Sequence, residues 1–173
     1  GVLPDRRSVI RLAPVGPTGS ATSVSWQAQG GLPAGTFSAP ATYSNNSPTY
    51  GVGKALDGSS ATYTYPSTAL KIGWWLQFDL AQAVQWKRIE LLLSTTNYRP
   101  TSARLSLGDS AATLVDVGDY ALDITPSGAT TALHSLVLPT RAPCRTCRIT
   151  FLTMFDSALA GYSVLEVNPY GVV

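Results

Sequence analysis

Several groups of residues have the types and spacing needed for chemistry. KALDGSSAT (54–62) carries Asp57 and Gly58 in a turn that can bend several carbonyls toward one point. A hard cation such as calcium, which takes six or more oxygen ligands, could use such a turn. The same Asp57 could instead close an Asx-type turn, with Glu166 paired to a base such as Arg88 and no metal involved. Tyrosine- and asparagine-rich loops supply a second chemistry. Tyr43, Asn45, Asn46 and Tyr50 lie in one loop, Tyr63 and Tyr65 in another and Asn97, Tyr98 and Arg99 in a third, with Phe155 and Tyr162 near the end. Aromatic rings stack on the apolar C–H faces of sugars while amide, guanidinium and hydroxyl groups hold their hydroxyls, so these are candidate glycan contacts. Exposed Tyr and Asn are also ordinary in β-rich loops, and the cluster means more than its members.

Three other motifs lead away from catalysis and metal chemistry. LSLGDSAATL holds a Gly-Asp-Ser segment like that of some hydrolases, but an activated serine needs a histidine held by an acid. The single histidine, His134, follows TAL without such an acid, and GDS is expected to be a hairpin turn after ARLSL. Of the ten acids, Asp109, Asp116, Asp119 and Asp123 fall in turn-like sequence, and no two present themselves as the facing carboxylates of a glycosidase. The chain is read as no enzyme. Cys144 and Cys147 form the one CRTC. With His134 the only histidine they cannot complete a four-ligand zinc site, and Cys147 leads into strand-like CRITFL rather than a helix N-terminus. Residues three apart on a strand face opposite sides, so structural thiols are expected.

The elements that position these groups read as strands. The chain has 173 residues, 45% apolar and 13% charged, with 15 glycines and 12 prolines, which suits one turn-rich all-β domain. WWLQFDL (74–80) alternates with Trp74, Leu76, Phe78 and Leu80 on the core face. Further strands are expected at WKRIELLL (86–93), ARLSLG (103–108), ATLVDV (112–117), LHSLVL (133–138), CRITFL (147–152) and YSVLEV (162–167). FSAPATYSNNSPTY (37–50) reads as an exposed loop with Asn45 and Asn46 suited to positive φ, and GVGKALDG as one short turn. Strands at this spacing without a sustained helical period call for a β-sandwich or barrel. Residues 1–39 hold two short alternating runs, SVIRL (8–12) and ATSVSWQAQ (21–29), broken by Gly/Pro-rich spacers. They form either an arm that packs on another subunit or peripheral strands, ahead of a domain at 40–173.

A formal charge of +2, with scattered Lys and Arg, gives no basic stripe for nucleic acid. No apolar run reaches membrane-span length and no signal peptide is visible, although a cleaved one leaves no trace. Asp5-Arg6 gives no support for a myristoyl anchor at Gly1.

In order and spacing, ALDGSSAT, GWWLQFDL, WKRIELLL, SARLSLGDS, RITFL and YSVLEVNPYG resemble the discoidin, or coagulation-factor type C, domain and its relatives among carbohydrate-binding modules, over roughly residues 40–171. The chain departs from that pattern at Thr64-Tyr65, where a Trp is common after the Asp-Gly turn, and at Ala81, where Gly is usual. The resemblance implies a galactose-binding-like jelly roll of two antiparallel sheets, with ligand-binding loops at one end. On it, Tyr43, Asn46, Tyr50, Tyr63, Tyr65, Asn97, Tyr98, Arg99, Phe155 and Tyr162 are the candidate ligand contacts. It also implies a structural calcium held by Asp57, the carbonyls of Lys54 and Ser59, Thr62, and Glu166 with the carbonyl of Leu165. The function implied is a non-catalytic recognition module for glycans or cell-surface ligands, working outside a cell or on a particle surface. Membrane insertion is disfavoured because the loops lack a basic collar. The alternative is a subunit of a larger assembly, such as a phage tail, capsid decoration or host-attachment protein, with residues 1–39 contacting protein partners.

Overall fold

The computed structural model describes residues 12–13, 19–20, 22–28, 33–122 and 130–173. Among these residues lie ten strands: β1 (Leu12–Ala13), β2 (Gly19–Ser20), β3 (Ser23–Ala28), β4 (Gly35–Ser38), β5 (Trp75–Ser94), β6 (Pro100–Gly108), β7 (Val115–Ala121), β8 (Thr131–Val137), β9 (Cys144–Met154) and β10 (Val164–Val172). The expected strand over residues 8–12 lies outside the described residues except at Leu12, as does Asp123 among the turn-like acids.

The fold turns on β5. WWLQFDL and WKRIELLL, expected as two strands, form one of twenty residues that belongs to two sheets. Its first part pairs antiparallel with β4 and β9, and β6 and β7 continue that sheet beyond β9. Its second part pairs with β10 on one side and β8 on the other. Two irregularities carry it across. Between Asp79 and Val84 the register with β9 slips, leaving Ala81, Gln82 and Ala83 exposed. At Lys87 the register with β10 jumps from Arg88↔Tyr170 to Trp86↔Gly171. A bulge of one residue reverses which side chains face inward. Trp74, Leu76, Phe78, Leu80, Val84 and Trp86 are buried before it, and Ile89, Leu91 and Leu93 after it. The buried positions change from even to odd there, and with AQAVQ between the two apolar runs the alternation alone reads as two strands.

The inner faces of both sheets share one hydrophobic cluster that includes Phe37, Phe78, Leu105, Ile149, Phe151, Leu91, Leu93, Val164 and Val167. This is an all-β, galactose-binding-like sandwich of antiparallel sheets. Trp74, fully buried, donates its indole N–H to the Ala41 carbonyl at 3.1 Å and stacks on Phe151. On the outer face of β5 the polar set is joined up: Arg148 lies over Trp75 and donates to Gln77, which donates to Asp79, which accepts from Thr146.

β3, formed by Ser23–Ala28 of the expected run at 21–29, pairs with β4, and β4 with β5. ATLVDV shifts C-terminally: Ala111–Thr113 is a 3-10 turn and the strand begins at Val115. Gly-Asp-Ser is the turn between β6 and β7, with Ser110 and Thr113 capping each other. Asp116 and Asp119 both engage Arg104. Cys144 and Cys147 are free and buried in β9, where burial raises both thiol pKa values. Among the described residues no helix is long and apolar enough to cross a membrane.

Candidate functional site

Four loops are fastened to one another by backbone hydrogen bonds. Tyr43 N–H donates to the Tyr65 carbonyl at 2.9 Å, and Thr64 and Val164 exchange a pair of bonds at 2.9 and 3.1 Å. Ser163 N–H donates to the Tyr98 carbonyl at 3.1 Å, and the Thr64 hydroxyl donates to the Tyr50 carbonyl at 3.0 Å. Their tyrosines therefore converge although 55 residues separate Tyr43 from Tyr98 in sequence. Ring centroids are 5.4 Å apart for Tyr43–Tyr50, 5.2 Å for Tyr43–Tyr65, 5.7 Å for Tyr50–Tyr63 and 6.4 Å for Tyr65–Tyr98.

These five rings, with Thr96, Ala160 and Ser163, line a cavity of about 290 Å³. Tyr65 is its buried floor at 7% exposure, and Tyr98 stands open at 43%. Gly161 lets the floor fit: a Cβ there would lie 2.7 Å from Tyr65 Cε1. Among the described residues no charged side chain lines the cavity. Burial, then the neighbouring phenols of Tyr98 and Tyr43, push the Tyr65 hydroxyl up to about 12, and burial also raises Tyr63. Neutral phenols are both donors and acceptors, and ring faces between them offer stacking surfaces, which is the equipment for holding a sugar.

The remaining candidates lie elsewhere. Tyr162 is fully buried, packs on Trp74 and Phe151 and donates its hydroxyl to the Lys71 carbonyl at 2.8 Å, so it serves the core rather than a ligand. Arg99 is 8% exposed; its guanidinium donates to the Thr95 and Thr96 carbonyls and lies 3.7 Å from the Phe155 ring centroid. It braces the Tyr98 loop from behind, and Phe155 is engaged with it. Asn97 is exposed and outside the cavity lining. Asn46 holds its own loop, its Oδ1 accepting from Thr42 N–H at 2.8 Å. Ser44, Asn45 and Asn46 all have positive φ, so the loop contains a left-handed turn, one residue longer than the Asn-Asn pair implies. Ala160 and Ser163 were missed, since small residues carry no chemical signature in sequence.

Asp57 and Glu166 meet. Asp57 Oδ1 accepts from Ser59 N–H at 3.0 Å and Oδ2 from the Thr62 hydroxyl at 2.6 Å, while Gly58 takes φ +75°. Glu166, on β10, is 8% exposed, and its Oε1 is buried without a hydrogen-bond partner. Burial first, then the hydrogen bond and charge of Asp57, push its carboxyl up to about 8, although the Gly58 and Ser59 N–H groups draw it down. Arg88 pairs with Glu90 at 3.3 Å and lies over Tyr170, so the expected Arg88–Glu166 pair does not form. Two carboxylates pressed together, one with an orphaned buried oxygen, fit a hard cation. Lys54 lies in the 3-10 turn Val52–Ala55, which packs against β10. Among the described residues no group of three or more Asp, Glu, His or Cys side chains gathers as a metal set, so further ligands would be carbonyls, hydroxyls or water.

No family model matches the chain, and no curated protein matches it in sequence. Solved structures do. A truncated AlyQ with CBM32 and alginate lyase domains is similar over 97% of this chain and 35% of that one, at TM-score 0.61 and 19% identity. The chain thus spans about a third of that structure's length. The CBM32 of AlyQ in complex with 4,5-unsaturated mannuronic acid is similar over 77% of this chain and 92% of that one, at TM-score 0.58 and 24% identity. A CBM32 from Clostridium perfringens in complex with GalNAc-β-1,3-galactose is similar over 77% and 92%, at TM-score 0.62 and 13% identity. The chain has the galactose-binding-like, discoidin-type fold of the carbohydrate-binding modules of family 32.

Proposed function

We propose that this protein is a non-catalytic recognition module that binds glycans, free or on cell-surface molecules, in the cavity walled by Tyr43, Tyr50, Tyr63, Tyr65 and Tyr98. The observation that carries this reading is the convergence of five tyrosines from separate loops on one concavity. Rings in several orientations can meet the apolar faces of a pyranose while phenol hydroxyls bond its edges. Complexes of similarly folded modules with galactose and with GalNAc-β-1,3-galactose support it. Such a module would work where glycans are displayed, outside a cell or on a particle.

Asp57, Glu166, the Thr62 hydroxyl and the carbonyls of Lys54, Ser59 and Leu165 would hold a structural calcium ion. Its charge would offset the two facing carboxylates and fix the 54–62 loop against β10.

A glycan array read with wild type and Tyr98→Ala tests the reading. Saturable binding that is lost in the variant is expected. Absence of binding to every glycan, or binding that survives the substitution, refutes it. Silence on the array together with concentration-dependent oligomerisation would favour the assembly-subunit alternative, with residues 1–39 as its contact.

A further inference from the structure

A second depression adjoins the tyrosine cavity, and Tyr43 lines both. It measures about 500 Å³, and where tyrosine rings wall the first, hydroxyl and amide residues (Thr42, Ser44, Asn45, Asn46, Ser67 and Thr68) make up most of its lining. Thr42 is 1% exposed and its hydroxyl has no hydrogen-bond partner. That oxygen is sealed from solvent, so the groups a ligand can reach are the exposed side chains of Ser44, Asn45, Asn46 and Thr68. The left-handed turn at Ser44–Asn46, closed by the Asn46 side chain on Thr42 N–H, makes up one side of that wall.

Among the described residues, neither concavity is lined by Asp, Glu, Lys, Arg or His. A charged sugar would be taken from water without a counter-charge, which is unfavourable. The first cavity, near the lower limit of small-ligand pockets, suits a single ring. Resting on the glycan-binding reading above, we propose that the ligand is an uncharged oligosaccharide of at least two residues. One residue stacks among the tyrosines, and the next passes Tyr43 to meet the hydroxyls and amides of the second depression.

The test compares neutral mono-, di- and trisaccharides, including galactose and GalNAc-β-1,3-galactose, with acidic glycans on an array. Titration calorimetry then measures the best neutral disaccharide against its own terminal monosaccharide. About tenfold or more tighter binding of the disaccharide is expected, with acidic counterparts weaker. Asn45→Gly suits the positive φ while removing the amide, and Thr68→Ala removes an exposed wall hydroxyl. Each should pull the disaccharide-to-monosaccharide affinity ratio toward one, with the melting temperature maintained, whereas Tyr98→Ala should weaken both ligands. The subsite is overturned if the monosaccharide binds as tightly as the disaccharide, if acidic glycans are preferred, or if both variants leave the ratio unchanged. Loss of all saccharide binding in wild type refutes the glycan reading itself, and the subsite with it.

Discussion

Replacing Glu166 with Gln probes the junction between the 54–62 loop and β10. In the folded protein the Glu166 carboxyl sits at about 8, against an ordinary 4.5, through burial and the Asp57 carboxylate beside it. A carboxyl raised on folding is protonated in the native state over a range where the unfolded chain has already ionised. Stability therefore falls as pH rises between those two values, and the sign is negative throughout that window. The gap sets a ceiling of about 5 kcal/mol at pH above 8, and relaxation of the exposed loop brings it to a few kcal/mol. For a domain of this size, each kcal/mol moves the melting temperature by roughly 2–4 °C. In EDTA, the wild type should lose on the order of 5–15 °C between pH 5 and pH 8.5 from this group. Glu166→Gln should be flatter over that window and should melt above wild type at pH 8.5. With millimolar calcium at pH 8.5 the order should invert: wild type gains melting temperature and the variant does not. Differential scanning calorimetry at four pH values, with and without calcium, is sufficient. A variant with the same pH slope as wild type in EDTA would refute the raised Glu166 carboxyl, and a wild type indifferent to calcium would refute the metal.

Other perturbations give separate tests. Gly161→Ala places a Cβ 2.7 Å from Tyr65 Cε1, so the cavity floor must shift; a loss of about 1–3 kcal/mol in denaturant titration and weaker glycan binding are expected. Arg99→Ala removes two bonds to backbone carbonyls and the contact with Phe155. It should lower stability by about 2–4 kcal/mol and weaken binding indirectly by loosening the Tyr98 loop, and Arg99→Lys should rescue it only in part. Cys144 and Cys147 are buried, with raised pKa values, so a thiol reagent at pH 8 should modify them at the rate of unfolding, followed as colour release across a denaturant series.

The sequence by itself determined most strand positions and the core face of Trp74, Leu76, Phe78 and Leu80, because side-chain direction in a strand follows a period of two. Residue type also singled out the Asp57 turn and the tyrosine-bearing loops, whereas the pairing of Asp57 with Glu166 came from the resemblance to discoidin domains. Only the tertiary structure decided that residues 75–94 are one strand crossing between sheets, since a bulge at Lys87 is a matter of register with β10 and leaves no mark in composition. Arg99 and Tyr162 illustrate the same limit: a guanidinium and a phenol look like ligand groups until packing turns them toward Thr95, Thr96 and Lys71. Conversely, Ala160 and Ser163 complete the cavity with side chains too small to signal it, and Gly161 between them matters only because Tyr65 lies against it. Local periodicity is written in the chain; which loops share an end of the sandwich depends on non-local pairing such as Thr64 with Val164, one hundred residues apart.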